Sequence, residues 1–257
     1  MTRRYAIIGA GRIGSLFAEL AAEVPGWTLT GVFRRGEDLD KFIATRPEIV
    51  FECASRHALA ELAPPLLRVG IDVVPLSSTA FCEPEIERRL RAAAEAGPGR
   101  LEIPPGAIGA IEALATARED RQLRAVVYRQ VKPPALWKAT PLRDLADLDA
   151  VATRKVVLAG SVREIAAHFP DNLNTAVGIA LAGLGLDATR MELVADPALR
   201  ATAHELDAEV GTGFYRVAIG GTPREGGRGV TSGGDPVDYT TFGLLRILRR
   251  RGLGLVV

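Results

Sequence analysis

The chain has 257 residues, of which 47% are hydrophobic and 25% charged, with a formal net charge of +1. That balance is ordinary for a soluble globular protein and excludes a nucleic-acid surface or a basic membrane patch. Cys53 and Cys82 are the only cysteines, so no disulfide framework or metal site is expected, and a reducing, cytoplasmic setting fits.

The first stretch, "RYAIIGAGRIGSLFAELAAEV", opens as an apolar strand and continues as an amphipathic helix. The strand starts too early to leave room for a signal peptide, and no later apolar run reaches membrane-spanning length. Between strand and helix stands Gly9-Ala10-Gly11-Arg12-Ile13-Gly14, a G-x-G-x-x-G turn in the context that dinucleotide binding requires. Gly9 permits the tight turn, Gly11 lets the backbone approach a pyrophosphate, and Gly14 lets helix and strand pack closely. The free N–H groups and dipole of the helix start are placed to hold phosphates; Arg12, inside the loop, could also reach them, and Ile13 joins the expected cofactor-binding set.

"WTLTGVF" reads as the second strand. An NAD site usually carries an acid at the end of this strand, to bond the ribose 2′-hydroxyl. Here the strand ends at Phe33, Arg34 and Arg35 follow, and Glu37 and Asp38 come late. Two guanidinium groups suit a 2′-phosphate, so NADP is the preferred cofactor and NAD the alternative.

"EIVFECA", "IDVVPLS" and "LEIP" read as the third, fourth and fifth strands, with helices "HALAELAPPLLRVG" and "EPEIERRLRAAAEAG" between them. Strands alternating with helices predict a parallel, doubly wound sheet. The Pro64-Pro65 pair is expected to break or kink its helix. Cys53 and Ala54, ending the third strand, join the expected cofactor-binding set, and Cys53 has no catalytic pair in view. Ser77 and Ser78, ending the fourth strand, are expected to border the nicotinamide ribose, Ser77 on the cofactor side and Ser78 on the substrate side.

After about residue 106 the pattern changes. "RQLRAVVYRQVKPP", "RKVVLAG", "RMELVAD", "ATAHELDAEVG" and "GFYRVAIGG" are strand-like, with few helices among them. The predicted fold is therefore α/β: a Rossmann domain over 1–106, then an α+β domain on an open mixed sheet over 107–235. The Gly-rich "TPREGGRGVTSGGDP" reads as a loop, and an amphipathic helix within 236–257 closes the chain. Arginine outnumbers lysine 28 to 4, a bias that lowers the weight of any single arginine. The run Arg249 to Arg251 is expected to be the solvated end of the last helix.

Four further stretches carry a resemblance: "IPPGAIGAIEAL" from Ile103, "VKPPALW" from Val131, "FPDNLNTAVGIALAGLGLD" from Phe169, and "VADPALRATAHEL" from Val194. Together they resemble the L-aspartate dehydrogenase family over nearly the whole chain, most strongly between residues 101 and 210. The resemblance implies a Rossmann domain completed by the returning last helix and followed by a substrate domain, with oxidative deamination of L-aspartate or a close analogue, or the reverse amination. It implies cofactor-binding roles for Ala107 and Asn174 and an active-site role for His204. Of the two amides at the mouth of the "FPDNLNTAVG" helix, Asn172 would then cap it while Asn174 reaches the cofactor.

The chain departs from the family pattern where Ser55 replaces a glycine, where Arg56-His57 transposes the usual pair, and at Thr202. It departs again at Asp235 to Tyr239, where a late segment lacks its lysine. The cofactor frame is intact while the substrate frame is altered, so an imine reductase or related dehydrogenase remains an alternative. A non-catalytic NADP(H)-binding regulatory protein is a second.

Of the three histidines, His57 stands at a helix start after the third strand, His168 is expected either at the surface or in packing, and His204 lies in a strand-like segment. An imidazole with a pKa near neutrality could shuttle the protons of amine oxidation. The substrate carboxylates need cationic partners. Lys132 is the first candidate, with a solvated strand lysine as the equal alternative. The expected partners are a small amino or imino acid and, by analogy, a second copy of the chain in a homodimer.

Overall fold

A computed structural model describes residues 2–106, 108, 109, 111–169, 173–220 and 239–252. Ala107, Asn172, the Gly-rich stretch and the late segment up to Asp238 lie outside the described residues. The chain divides into two compact units, Met1–Pro104 with Thr240–Val257, and Pro105–Tyr239.

The first unit runs β1 (Arg3–Ile8), α1 (Arg12–Ala22), β2 (Trp27–Phe33), α2 (Leu39–Ala44), β3 (Ile49–Glu52), α3 (Arg56–Arg68) and β4 (Asp72–Pro75). A 3₁₀ turn (Ser78–Cys82) and α4 (Pro84–Ala96) follow. Its sheet has the order β2-β1-β3-β4, parallel throughout. β1 and β3 are central and apolar, as strands covered on both faces must be. Pro84 at the first turn of α4, with Glu85 and Glu87, matches the free N–H groups and positive end of that helix.

Three expectations are corrected here. "LEIP" is not a full strand but a single parallel bridge between Val73 and Leu101. Pro104 and Pro105 bring no N–H to extend the ladder. Pro64 and Pro65 do not break α3, which runs unbroken from Arg56 to Arg68. The Ala60 carbonyl, which an N–H at position 64 would have bonded, accepts instead from Arg89 Nη2 at 3.4 Å. Of the run expected to be solvated, Arg249 is exposed, but Arg250 and Arg251 are held in ion pairs. Arg250 pairs with Glu102 at 2.7 Å, and Arg251 pairs with both Glu102 and Asp72.

The second unit contains α5 (Ile111–Glu119), β5 (Leu123–Lys132), α6 (Pro134–Lys138), β6 (Lys155–Ser161), α7 (Val162–His168), α8 (Asn174–Ala182), β7 (Arg190–Ala195), β8 (Ala203–Val210) and β9 (Gly213–Gly220). Its sheet has the order β6-β7-β5-β8-β9, with β5 and β7 parallel and the other neighbours antiparallel, hence mixed. α7 starts in a capping box formed by Ser161 and Glu164. Alternation along β5 sends Tyr128, Gln130 and Lys132 to one face. Arg129, on the other, pairs with Glu192 and Asp207.

The last helix, α9 (Tyr239–Arg250), returns to the first unit. Its Leu244, Leu245, Ile247 and Leu248 join Tyr5, Phe17, Trp27 and Phe51 in one buried cluster. Each such side chain contributes roughly 1.5–3 kcal/mol on burial, which anchors the C-terminal segment. Among the described residues no helix is long and apolar enough to cross a membrane.

Candidate active site

Sterics at the glycine turn account for its sequence. Gly9 has φ +98°, and an added Cβ would lie 2.8 Å from the Cys53 carbonyl oxygen and 2.9 Å from Ala54. At Gly14 a Cβ would lie 2.1 Å from the Gly9 carbonyl oxygen. Cys53 and Ala54 are therefore the floor of the turn, immediately after β3. Gly11, in contrast, faces open space and is the N-cap residue of α1, with no side chain capping the helix. A diphosphate fits there: the backbone can be approached, and the helix start offers N–H groups and a positive dipole end. Burial, with the adjacent Glu52 charge, pushes the Cys53 thiol pKa up, so it is not a thiolate.

Beside the turn, at the carboxyl ends of β1, β2 and β3, lies a cavity of about 540 Å³. Arg34, Arg35, Glu37, His57 and Glu61 line it. Both arginines and His57 are exposed. Glu37, late in sequence, is not late in space. Gly36 at φ +85° turns the chain back, and the Glu37 carboxylate accepts from the Arg34 N–H at 2.9 Å. An acid thus stands near the end of β2 after all, beside the two guanidinium groups. Asp38 is spent on capping α2.

Sequence reasoning misses Glu52. It ends β3 fully buried and accepts from Ala54 N (2.7 Å), Ser55 N (2.9 Å), Ser77 N (3.0 Å) and Ser77 Oγ (3.0 Å). Burial raises its pKa, and these four donors oppose that shift. The carboxylate ties the end of β3 to the end of β4, fixing Ala54 and Ser77 together. An acid closing the apolar run "IVFE" is the signal that could have revealed it. Ser78 is 3% exposed within the 3₁₀ turn. Ser55, where the family pattern has glycine, caps α3 by accepting from Ala58 N.

In the second unit, His204 is buried on β8 directly opposite Gln130 of β5. Its Nδ1 lies 2.6 Å from the Tyr128 hydroxyl, and no bond to Nε2 exists among the described residues. Burial, with the Lys132 charge nearby, pushes His204 down to about 4. The expected near-neutral imidazole is thereby corrected: the ring is neutral at pH 7, because the fold desolvates it. Lys132, half-buried, places its ammonium 4.6 Å from the centroid of the Trp137 ring, and burial lowers its pKa. It is not the freely solvated lysine of the alternative reading. Tyr128, also missed, becomes visible only once the β5–β8 register is known.

Asn174 is the exposed first residue of α8, with Leu173 in the cap position. Gly106, at φ +60°, lies against Thr175, the next residue of that helix. This brings Gly106 beside the start of α8; Ala107 is outside the described residues. His168 ends α7 exposed, the surface alternative of the two expected. The first unit thus gathers Gly9, Gly11, Arg12, Ile13, Gly14, Arg34, Arg35, Cys53, Ala54, Ser77 and Ser78, and the second carries Lys132, Asn174 and His204.

Known proteins agree with both units. A family model described as aspartate dehydrogenase, C-terminal, matches residues 112–229. One described as homoserine dehydrogenase, NAD binding domain, matches residues 9–104. The L-aspartate dehydrogenase of Ralstonia nicotianae is 42% identical over 180 residues, which is 70% of this chain and 67% of that one. L-aspartate dehydrogenase 2 of Bordetella bronchiseptica is 35% identical over 242 residues, 87% of this chain and 89% of that one. The crystal structure of aspartate dehydrogenase from Thermotoga maritima covers 100% of both chains with a TM-score of 0.76 at 24% identity, a likeness of fold.

Proposed function

We propose that this chain, which belongs to the aspartate dehydrogenase family, is an NAD(P)-dependent oxidoreductase. It oxidatively deaminates L-aspartate or a close analogue to the imino acid, then oxaloacetate and ammonia, or runs the reverse amination. The observation that carries the reading is His204: buried, neutral, with one ring nitrogen held by Tyr128 and the other without a hydrogen bond among the described residues.

The glycine turn would hold the diphosphate, with Gly11 and the N–H groups after it closest to the phosphates. Arg34 and Arg35 would grip a 2′-phosphate, which supports NADPH over NADH. Glu37 beside them tempers that preference by offering a carboxylate to a ribose hydroxyl. Ser77, fixed by Glu52, would orient the nicotinamide end, and the family resemblance gives Asn174 and Ala107 cofactor-binding roles as well. Bound there, the nicotinamide supplies the hydride chemistry.

The protein's own residues do the rest. Lys132 would pair with a substrate carboxylate, its half-buried ammonium strengthened by partial desolvation. His204 would hydrogen-bond the reacting nitrogen or the water-derived oxygen as a neutral imidazole. The missing lysine between Asp235 and Tyr239 favours testing other amino and imino acids as well.

Turnover with NADP⁺ and NAD⁺ against a panel of L-amino acids tests the reading. L-aspartate should give the highest kcat/KM; no turnover with any member, despite cofactor binding, would favour a non-catalytic NADP(H)-binding protein. A homodimer in the cytoplasm is the proposed setting, in keeping with two free cysteines. Light scattering on the purified protein tests the dimer.

A further inference from the structure

Tyr128 is among the largest fully buried side chains, 1% exposed. The register sets Gln130 opposite His204 and Tyr128 opposite Leu206, so Tyr128 and His204 are diagonal neighbours on one face of the sheet. Their rings lie 13° from parallel with centroids 6.1 Å apart, and the phenol oxygen is 2.6 Å from Nδ1.

The hydrogen of that bond can sit on either partner, and burial decides which. A buried phenol keeps its proton, because desolvation raises its pKa. That proton needs an acceptor, and among the described residues the hydroxyl has one hydrogen-bond partner, His204 Nδ1. If Nδ1–H donated to the phenol oxygen instead, the phenol O–H would be left buried without an acceptor. The desolvation penalty of such an orphaned donor corresponds to about a tenfold or greater imbalance between the two tautomers.

We propose that Tyr128 is the positioning residue for His204: its O–H donates to Nδ1 and holds the imidazole as the Nε2–H tautomer, offering that N–H to the substrate. The inference rests on the reading of His204 as the residue that meets substrate. It deepens that reading by giving His204 a definite polarity. The ring presents a hydrogen-bond donor, suited to an acceptor atom such as the oxygen added by water. It does not present a lone pair ready to take up a proton. The arrangement is that of a neutral imidazole acting as an electrophile.

Nitrogen-15 NMR of the histidine-labelled apoprotein near pH 7 reads the tautomer directly, with His57→Gln and His168→Gln variants assigning the three signals. The expected result is a proton on Nε2 and none on Nδ1 of His204. In Tyr128→Phe that preference should fall about tenfold, toward a mixture. Wild-type protein with the proton on Nδ1 overturns the proposal, even if Tyr128→Phe does not fold. So does an unchanged tautomer in a folded Tyr128→Phe.

Activity supplies the second readout. Tyr128→Phe should lower kcat about tenfold, with KM for L-aspartate and Kd for NADPH nearly unchanged; an unchanged kcat overturns the positioning role. A His204→Ala variant with full kcat would instead sink the functional reading of His204, and the NMR result would still judge the tautomer on its own.

Discussion

Replacing Gly14 with alanine puts a methyl group where the backbone leaves no room. The added Cβ would stand 2.1 Å from the Gly9 carbonyl oxygen, against roughly 3.5 Å for ordinary contact. The two sides of the turn must part by more than about 1 Å. Gly9 cannot yield easily, because it holds φ +98° and is itself walled in by the Cys53 carbonyl and Ala54. Overpacking of this kind costs about 1–3 kcal/mol or more. In a chain of this length that lowers Tm by roughly 3–10 °C.

Gly11→Ala makes the contrasting case. Nothing lies within 4 Å of its added Cβ. The poorer N-cap is offset by the entropy lost from the unfolded chain, so Tm should stay within about 2 °C. Yet the methyl enters the space assigned to the diphosphate, and NADPH affinity should fall by about tenfold or more. Differential scanning fluorimetry and a NADPH fluorescence titration on both variants decide the matter. An unchanged Tm in Gly14→Ala, or wild-type NADPH affinity in a folded Gly11→Ala, refutes the reasoning.

Changing Arg34 and Arg35 together to alanine should weaken NADPH about 10- to 100-fold, while NADH binding changes little. Equal weakening of both, read by titration, would show that these arginines do not grip a 2′-phosphate. Asn174→Ala should lower NADPH affinity; unaltered binding argues against a cofactor contact. His204 is pushed down from 6.5 to about 4, so the fold favours its neutral form. That contribution is fully present above about pH 6.5, is lost as pH falls through about 4, and amounts to roughly 3 kcal/mol. Urea unfolding of wild type and His204→Gln across that range checks it, the variant showing the shallower fall in stability; identical slopes would contradict the burial argument.

The glycine turn was legible in sequence because each glycine answers a separate local steric demand at fixed spacing. The strands of the second unit were legible through length and alternation. What escaped depends on distant partners. Arg89 rescues the carbonyl that Pro64 orphans in α3, and nothing near Pro64 announces it. Glu37 reaches the end of β2 only because Gly36 reverses the chain. Arg251 looked solvated until Asp72 and Glu102 came to meet it. His204 was found through a resemblance, but its neutral state and its bond to Tyr128 follow from burial and from a register that no single strand encodes.

The proposed contact of His204 with substrate, with the cofactor held elsewhere, is tested most directly by one variant. His204→Ala should bind NADPH with a Kd nearly equal to that of wild type. Its kcat for NADP⁺-dependent oxidation of L-aspartate should fall on the order of 10²–10⁴-fold, the usual loss when a positioned donor or proton-transfer group is removed. A His204→Ala enzyme with wild-type kcat would contradict the account, and His57, exposed beside Arg34 and Arg35 in the cavity of the first unit, would be the next residue to change.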